Sequence, residues 1–385
     1  MEENKKNKIP NVPNLRFPKY SSEWITTKYD SVCKVFSGGT PKSSNKEYYK
    51  GDIPFIRSGE IHLDKTELFI NEKALRESSA KMINKGDLLL ALYGATSGEI
   101  DISRIEGAIN QAILCIKTDQ NKQFIKYGWE SKVTKYLSTY LQGGQGNLSA
   151  EIFKSIRVDL TEKDEQAKIG YFLVLLDDRI KTQNKIIEKY ESLIKQLNDD
   201  LFSREINCKI GDFIQECSKR NKDGAILNVL SVSNKNGFVK QSEQFEDKEL
   251  ASEDKTNYKI VQKGDFAFNP ARINVGSIAL LKKQETGIVS PMYICFKAKN
   301  IPNEVLESYF SSSSFKKEMN KRLEGSVRMC LTIDGMKNIR FHKPDEKEVN
   351  LLNHLTKLRD FVSINKKILV LYNSQKKYLL SNLFI

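Results

Sequence analysis

Few residues of this chain are spaced for catalysis, and each recognisable motif is incomplete. The three histidines, His62, His342 and His354, do not share a helical turn, which excludes a His-Glu-x-x-His zinc protease. A Gly-x-x-x-x-Gly-Lys-[Ser/Thr] phosphate-binding loop is missing from the sequence. Gly144-Gln145-Gly146 is half of a dinucleotide-binding fingerprint, with Ser149 where the third glycine belongs, so we interpret it as a loop.

Two further fragments are typical of nucleic-acid enzymes and are also incomplete. Asn269-Pro270 could open an Asn-Pro-Pro-aromatic methyltransferase loop, but Ala271-Arg272 follows. A Glu-x-Lys nuclease fragment occurs at Glu246–Lys248, in a run of mixed charge where such triplets arise by chance and a solvated surface is the simpler interpretation. We therefore predict that the chain has no catalytic residues, no metal site and no bound cofactor of its own.

Composition points to a folded, basic protein of two or three domains. The 385 residues contain 62 Lys+Arg against 49 Asp+Glu, a formal charge of +13, with 29% charged and 39% hydrophobic residues. No apolar run exceeds six residues, so a membrane-spanning helix is not expected, and no secretory signal is evident at the start. The six cysteines form no Cys-x-x-Cys pair, which favours reduced thiols and a cytoplasmic location.

The strongest pattern is an internal repeat. Lys85-Gly86-Asp87 recurs as Lys263-Gly264-Asp265 at an offset of 178, and Leu148-Ser149 recurs as Leu331-Thr332 at an offset of 183. Leu201-Phe202 recurs at an offset of 182, close to the end of the chain. Such drift indicates small loop insertions between two copies of one unit, each consisting of about 140 residues and a helix.

Each copy ends in a long heptad pattern, which predicts a coiled-coil helix. In the first helix, ten positions from Ile169 to Leu201 alternate spacings of four and three, with Gln183 as the polar member. Asn365 is the matching polar member of the second helix. The apolar heptad positions form a continuous stripe, or seam, along each helix. Ten consecutive heptad positions favour a seam that contacts a partner over a seam that is only buried against its own domain. The predicted docking residues are Ile169, Leu173, Leu176, Ile180, Ile187, Tyr190, Leu197, Leu351, Leu355, Leu358, Leu369, Tyr372 and Leu379.

Short apolar runs between the helices, punctuated by Gly, Pro, Asn and Ser, predict strands in compact α/β domains. The predicted fold class is therefore α/β, with two globular domains in an internal repeat and two long helices between them. The predicted boundaries are a basic N-terminal segment at 1–20, a first domain at 21–160, a central helix at 161–205, a second domain at 206–343 and a C-terminal helix at 344–385.

The sequence resembles the specificity subunits of type I restriction-modification systems over nearly its whole length. The resemblance rests on the order of many short motifs, including Leu15-Arg16-Phe17-Pro18, Gly38-Gly39-Thr40-Pro41, Tyr93-Gly94-Ala95-Thr96, Asn110-Gln111-Ala112 and Gly287-Ile288-Val289-Ser290-Pro291. It implies two target recognition domains on antiparallel spacer helices that dock two adenine methyltransferase (modification) subunits, with motor and nuclease (restriction) subunits joining for cleavage. A Gly-Gly-Thr-Pro run is missing from the second half, so the two domains are expected to read different half-sites.

Under this resemblance, polar side chains in loops beside strands are the candidates for reading base edges of double-stranded DNA. Arg57 can be bidentate to guanine, and Asn110 or Gln111 to adenine, although Asn and Gln beside a strand often only satisfy loop backbone. Arg272 is the single arginine between positions 222 and 322. The full predicted set is Thr40, Arg57, Ser58, Tyr93, Thr96, Asn110, Gln111, Ser231, Ser233, Asn269, Arg272, Asn274 and Ser290.

In the second domain, the order of residues in the repeat predicts which residues read DNA. Ser231–Ser233 is taken to correspond to residues 56–58, and Asn269–Asn274 to residues 92–97. Ser290-Pro291 takes the place of Asn110-Gln111. Residues 361–385 hold four lysines and no acid, which suits either phosphate contact or a solvated helix face.

The resemblance also implies a non-catalytic subunit that reads a bipartite, asymmetric target across a gap of fixed length set by the helices. S-adenosylmethionine, ATP and Mg are expected on partner subunits, and no membrane is expected as a partner. Two other readings stay open from the residues alone. One is a stand-alone DNA nuclease or methyltransferase, which the missing motifs oppose. The other is a coiled-coil scaffold whose globular domains bind protein.

Overall fold

The computed structural model describes residues 10–140, 147–234, 236–241, 254–325 and 329–385. Residues 1–9 of the predicted basic segment, the glycines of 143–146, and the Glu-x-Lys fragment at 246–248 lie outside this part. The chain divides into two compact units. The first unit comprises residues 1–184 and 367–385, and the second comprises 185–366. The predicted boundaries set each long helix apart in a segment of its own, whereas the structural division falls within both helices.

The first unit contains two four-stranded sheets and a strand pair, ordered β2-β9-β6-β7, β4-β3-β8-β5 and β1-β10. Its strands are β1 Ile25–Lys28, β2 Cys33–Ser37, β3 Ile53–Ile56, β4 Leu68–Ile70, β5 Lys81–Ile83, β6 Leu88–Ala91, β7 Ile100–Ile102, β8 Gly107–Ile109, β9 Ile113–Thr118 and β10 Arg157–Leu160. Its helices are α1 Tyr29–Val32, α2 Glu72–Arg76, α3 Lys122–Tyr140 and α4 Ala150–Ser155. The long helix α5, Lys163–Phe202, begins in the first unit and ends in the second.

The second unit repeats part of this arrangement, with one four-stranded sheet and three strand pairs, ordered β12-β19-β16-β17, β11-β20, β13-β14 and β15-β18. Its strands are β11 Cys208–Lys209, β12 Ile214–Glu216, β13 Leu230–Ser233, β14 Gly237–Lys240, β15 Lys259–Gln262, β16 Asp265–Phe268, β17 Ile278–Leu280, β18 Thr286–Val289, β19 Ile294–Ala298 and β20 Arg340–Phe341. The sheet β12-β19-β16-β17 matches β2-β9-β6-β7 strand for strand. The helices are α6 Asn303–Phe310, α7 Ser313–Asn320, α8 Ile333–Lys337 and α9 Glu346–Leu383, which ends in the first unit.

Hydrogen bonds within each unit confirm the predicted repeat. Asp87 accepts from the backbone N–H of Asn84 at 2.8 Å, and Asp265 accepts from that of Gln262 at 2.8 Å. Each carboxylate thereby closes the Lys-Gly-Asp turn that the sequence repeats. The glycine of each turn has a φ near +90°, a left-handed conformation that favours glycine, which explains why both copies carry it.

In each unit, the local segments of α5 and α9 run antiparallel and complete the core. In the first unit, Leu173 and Leu176 share a core with Leu379 and Leu383. In the second, Leu201 of α5 shares a core with Leu352 and Leu355 of α9, while Glu191 meets Lys366 at 2.6 Å. The predicted fold class is thus confirmed: two α/β units in a repeat, with two long antiparallel helices.

The α9 helix begins at a reciprocal cap that local sequence chemistry explains. Asp345 accepts from the Glu348 N–H at 2.8 Å, and the Glu348 carboxylate accepts from the Asp345 N–H at 2.9 Å. Arg204 and His342 also contact the Glu348 carboxylate. In the first unit, Arg16 pairs with Glu165 of α5 at 2.7 Å. The start of each long helix is therefore tied to its own unit by an arginine–glutamate pair.

Candidate nucleic-acid interface

Three of the predicted DNA-reading residues of the first unit form one hydrogen-bonded cluster. Tyr93 follows β6, and Gln111 lies between β8 and β9. The Thr40 hydroxyl donates to Gln111 Oε1 at 2.6 Å, and Tyr93 also hydrogen-bonds the Gln111 side chain. Gly38 makes this approach possible, because a Cβ there would lie 1.8 Å from the Ile109 carbonyl oxygen. The exposed Gln111 amide is thus held in one orientation.

A held amide of this kind suits recognition of adenine. A glutamine carbonyl oxygen can accept two hydrogen bonds and its NH₂ group can donate two. Thr40 uses one of these positions on the oxygen, which leaves the other available. Burial raises the pKa of the Tyr93 hydroxyl, so it stays protonated at neutral pH. Adenine presents a donor and an acceptor side by side in the major groove, the pattern that a free amide edge pairs with.

The neighbouring candidates Asn110 and Thr96 have clearer roles in loop structure. Asn110 Oδ1 accepts from the Ala112 N–H at 3.1 Å, an Asx turn that shapes the β8–β9 loop. Thr96 lies half-buried in the β6–β7 loop, where its carbonyl oxygen accepts from the Glu99 N–H at 2.9 Å. The Asn110 amide nitrogen remains available in this geometry, but its carbonyl oxygen is already engaged.

Arg57 does not have the free guanidinium that bidentate recognition of guanine needs. It donates to Glu60 through Nε at 3.1 Å and Nη2 at 2.9 Å, and to Glu67 at 2.6 Å. Hydrogen bonds from Arg57 outweigh the effect of burial and hold the pKa of Glu60 at about 2, so the pair stays ionised. The structure therefore corrects the sequence interpretation: Arg57 braces the turn after β3, and Ser58 lies half-buried in that same turn.

Arg272 is the one predicted DNA-reading residue of the second unit that carries a guanidinium group. It is exposed, and within the described ranges no carboxylate lies within 4.0 Å of it. Asn274, also exposed, follows in the same loop. Asn269 is 9% exposed, and its side chain closes an Asx turn to Ala271 and contacts Met292 Sδ at 3.6 Å. Asn269 therefore shapes the loop, whereas Arg272 and Asn274 project from it.

The remaining candidates of the second unit lie on or beside β13. Ser231 and Ser233 are half-buried on one face of that strand, and Ser290 opens the turn to β19. Ser233 and Asn274 line a cavity of about 700 Å³. Three lysines that sequence reasoning overlooked, Lys282, Lys283 and Lys316, also line it. The sequence feature that could have indicated these lysines is the Lys282-Lys283 pair directly after β17. Adjacent lysines beside loops that contact DNA bases suit phosphate contact.

The structure shifts the predicted correspondence between the two reading loops by one residue. The Leu148 N–H donates to the Leu92 carbonyl at 3.0 Å, and the Leu331 N–H donates to the Pro270 carbonyl at 3.1 Å. Because Leu148 and Leu331 are the paired positions of the repeat, Pro270 corresponds to Leu92. Asn269 therefore takes the place of Ala91, not of Leu92 as predicted, and Arg272 takes that of Gly94.

The helix residues predicted to dock partners are mostly turned inward. Ile169, Leu173, Leu176 and Leu379 are buried in the core of the first unit, and Ile180 and Tyr372 pack against it. In the second unit Leu355 is buried in the core, with Leu197 and Leu358 packed against it. Ile187 is also buried, Tyr190 packs edge-on against Phe361 at 5.0 Å, Leu369 is half-buried, and Leu351 is exposed. The prediction that this seam contacts a partner, and not its own domain, was wrong for most of its residues. They are buried in the cores of the two units or pack against them.

The apolar side chains exposed on the same two helices are, apart from Leu351, not among the predicted docking residues. In the first unit they are Tyr171, Phe172, Leu175, Val370, Leu371 and Tyr378, and in the second they are Leu193, Leu351, Phe361 and Ile364. Among the four C-terminal lysines, Lys376 is paired with Asp177 and Glu130, and Lys366 with Glu191. Two of the four lysines are therefore engaged in ion pairs. The exposed apolar side chains of the helices form a surface that can contact another protein.

Neither a membrane-spanning helix nor a metal site is found in the described part of the structure. Across the described residues, no helix combines the length and apolar character needed to cross a membrane. In the same part of the chain, no group of three or more His, Cys, Asp or Glu side chains is arranged to hold a metal ion.

Residues 21–192 match the family described as the type I restriction modification DNA specificity domain. The MjaIX specificity subunit of a type I restriction enzyme from Methanocaldococcus jannaschii is 30% identical over 187 residues, covering 44% of this chain and 42% of the relative. The MjaVIII specificity subunit of the same organism is 21% identical over 94% of this chain and 92% of its own length. The chain thus spans less than half of the first relative but nearly all of the second.

Solved structures share the fold. The S subunit of a type I restriction-modification system from M. genitalium matches with a TM-score of 0.64 and 15% identity, covering 97% of this chain and 99% of that one. A chain solved in work on complex assembly and conformational transition of the type I R-M system matches with a TM-score of 0.54 and 11% identity, covering 94% and 97%. The repeated two-unit architecture is therefore found in other solved chains.

Proposed function

We infer that this chain, a specificity subunit of the type I restriction-modification family, recognises the DNA sequence for its complex. The observation that carries this inference is the duplicated α/β unit, in which the loops of the two copies present different polar side chains. The first unit presents a held glutamine amide, and the second presents an exposed arginine. A pair of unlike readers on one scaffold suits an asymmetric target of two half-sites.

Selection of duplexes from a random library tests this inference. The chain is mixed with labelled duplexes in the presence and absence of its modification subunits, and the bound DNA is sequenced. We expect a target in two parts separated by unspecified bases. Bound DNA without any shared sequence would contradict a recognition role, and cleavage or methylation by the chain alone would contradict our proposal that it has no catalytic activity.

We propose that two modification subunits dock on the chain, one on each unit, through the exposed apolar side chains of the long helices. Leu371 is 66% exposed in the first unit and Ile364 is 55% exposed in the second. Large exposed apolar side chains are typical of protein interaction sites when they cluster. Native mass spectrometry of Leu371→Glu and Ile364→Glu, each the control for the other, should show loss of one modification subunit apiece.

The remaining partners follow from the same proposal. Restriction subunits that provide the motor and nuclease would join the complex. S-adenosylmethionine, ATP and Mg would be bound by the partner subunits, with this chain supplying recognition and docking only. We propose a cytoplasmic location, since the DNA and these partners are there. Assay of the purified chain for turnover, with and without each partner, distinguishes these contributions.

A further inference from the structure

The second unit contains a half-buried arginine whose charge is not neutralised by its surroundings. Arg359 lies on α9 and donates to the Ser308 hydroxyl oxygen at 3.0 Å. Among the described residues, no carboxylate lies within 4.0 Å of its guanidinium, and the nearby Glu307 is paired with Lys282 at 2.7 Å. Burial lowers the pKa of Arg359, and the charge of the Glu307 carboxylate opposes this effect without outweighing it.

This arginine lines a small cavity between α5, α9 and the turn that follows α6. The cavity has a volume of about 250 Å³, and Lys195, Asn198 and Ser311 also line it. Glu191 is the carboxylate on its wall, and Lys366 already pairs with that group at 2.6 Å. The wall therefore carries two cations, Arg359 and Lys195, and neither has a carboxylate within 4.0 Å in the described part of the chain.

Asn198 adds an unmet hydrogen-bonding group to the same wall. It is 2% exposed, and its Nδ2 donates to the Ser308 carbonyl oxygen at 2.7 Å, which fixes the orientation of the amide. Its Oδ1 is buried and has no hydrogen-bond partner among the described residues. This oxygen needs a donor, so it does not itself contribute to binding of an anion.

The equivalent place in the first unit is filled and electrically balanced. The offset of 182 that relates the two helices places Asp177 at the position of Arg359. There the Tyr127 hydroxyl donates to Asp177 at 2.8 Å, and Lys376 bridges Asp177 and Glu130 at 2.8 and 3.2 Å. In the second unit the Ser308 hydroxyl contacts Arg359, where in the first unit the Tyr127 hydroxyl contacts Asp177. The two copies of the repeat therefore differ in the groups that surround this helix position.

We propose that the cavity at Arg359 receives an acidic side chain of a partner protein that docks on the helices of the second unit. A carboxylate would neutralise Arg359 and Lys195 together, and charged hydrogen bonds of this kind are among the stronger ones. Small-molecule sites usually span about 300–1,000 Å³, so a cavity of about 250 Å³ suits one side chain better than a nucleotide. None of the predicted DNA-reading residues lines it.

Exposed apolar residues on the same helix segments favour a protein as the source of the carboxylate. Leu193, Phe361 and Ile364 are each at least 40% exposed in this unit. They offer contact area around a charged anchor, the arrangement in which a buried arginine carries a large share of binding energy. This inference rests on the proposed function, because it assumes that a modification subunit docks there.

Arg359→Met tests the proposal, since methionine keeps much of the aliphatic stem and removes the charge. Lys357→Met, an exposed lysine on the same helix, is the matched control. Titration calorimetry with the modification subunit should show about 30-fold weaker binding at the second-unit site for Arg359→Met, and binding within about twofold of wild type for Lys357→Met. The isolated Arg359→Met chain should melt at the same temperature as wild type or higher, because an unneutralised charge has been removed.

Several outcomes would overturn the proposal, and they are distinguishable. Wild-type affinity of Arg359→Met for the modification subunit would show that no partner carboxylate enters the cavity. A clear drop in its melting temperature would show that Arg359 only stabilises the fold. Glutarate serves as a free carboxylate probe: glutarate binding that Arg359→Met abolishes, with unchanged affinity for the modification subunit, would indicate a free anion. Failure of the wild-type chain to bind any modification subunit would instead refute the proposed docking function.

Discussion

The two units share one fold but differ in how their charged and polar side chains are held. In the first unit, Lys376 is balanced by Asp177 and Glu130, and Gln111 is held by Thr40. In the second, Arg359 faces a cavity and Arg272 projects into solvent. The comparison teaches that duplication preserved the hydrogen bonds that build the fold, whereas the groups available for recognition diverged.

Changing the spacing between the units should have the largest effect. Both long helices cross the boundary between units, close to Lys185 and Lys367. Insertion of one heptad after each of these residues keeps the helical phase and adds about 10 Å to each helix. If each unit reads one half-site, the selected gap should lengthen by about three base pairs at roughly 3.4 Å each, with the half-sites unchanged. Methylome sequencing measures the gap directly.

A matched insertion in only one helix is the control for this experiment, because it should break the pairing of α5 with α9 and abolish binding. Altered half-site bases with an unchanged gap would show that the helices do not set the spacing.

Removal of the balanced lysine should destabilise the first unit. Lys376→Met removes the cation that pairs with Asp177 in a partly buried site and leaves Glu130 with Lys126 at 3.8 Å, for which we expect a loss of about 3 kcal/mol in unfolding free energy. The two carboxylates raise the pKa of Lys376 despite the opposing effect of burial, consistent with a stabilising network. Chemical denaturation of the full chain measures the loss. Equal destabilisation by Arg359→Met would contradict the contrast between the two units.

The two proposed base readers should act on separate half-sites. Gln111→Ala should relax preference at one base of one half-site by about 10- to 100-fold, and Arg272→Ala should do the same in the other. Thr40→Val should give a smaller change at the same base as Gln111→Ala, because it only frees the amide to rotate. Sequencing of selected duplexes reads these effects, and a change in both half-sites by a single variant would contradict separate reading.

The smallest effect concerns pH and again separates the units. In the first unit, His62 contacts Asp101 at 3.1 Å and Glu99 at 2.9 Å, whereas Ala279 takes the place of Asp101 in the second. The hydrogen bond to Asp101 is the largest cause that raises the pKa of His62 above its usual 6.5. The contribution of the protonated His62 to the free energy of unfolding is therefore fully present below pH 6.5. It disappears as the pH rises through the raised pKa.

His62→Gln should accordingly lower the melting temperature of the first unit slightly at pH 6 and leave it unchanged at pH 9. Thermal unfolding at both pH values decides the point. An equal loss at pH 6 and pH 9 would show that the His62 charge is not responsible.

Several features of the fold were predictable because they depend on local chemistry. The Lys-Gly-Asp turns, the heptad helices and the strand-forming runs each follow from residues that are close in sequence, and their recurrence predicted the repeat. The N-terminal cap at Asp345 is local in the same sense, since capping joins residues three apart.

The roles of individual side chains were decided only by tertiary contacts. Arg57 is held by Glu60, three residues away, and by Glu67, ten residues away, and the second contact depends on how the chain turns between them. The heptad seam has the same periodicity whether it contacts a partner or its own domain, so only packing revealed that Ile169, Leu173 and Leu355 are buried within the chain.

By itself, the sequence determined the duplicated α/β architecture, the two long helices and the resemblance to type I specificity subunits. The tertiary structure alone decided which polar groups remain available, because availability depends on residues distant in sequence. Thr40 reaches Gln111 across 71 positions, and Asn198 reaches Ser308 across 110. The cavity at Arg359 arises in the same way: a serine stands where the other copy has a tyrosine, and the meaning of that exchange appears only when α5, α6 and α9 are brought together.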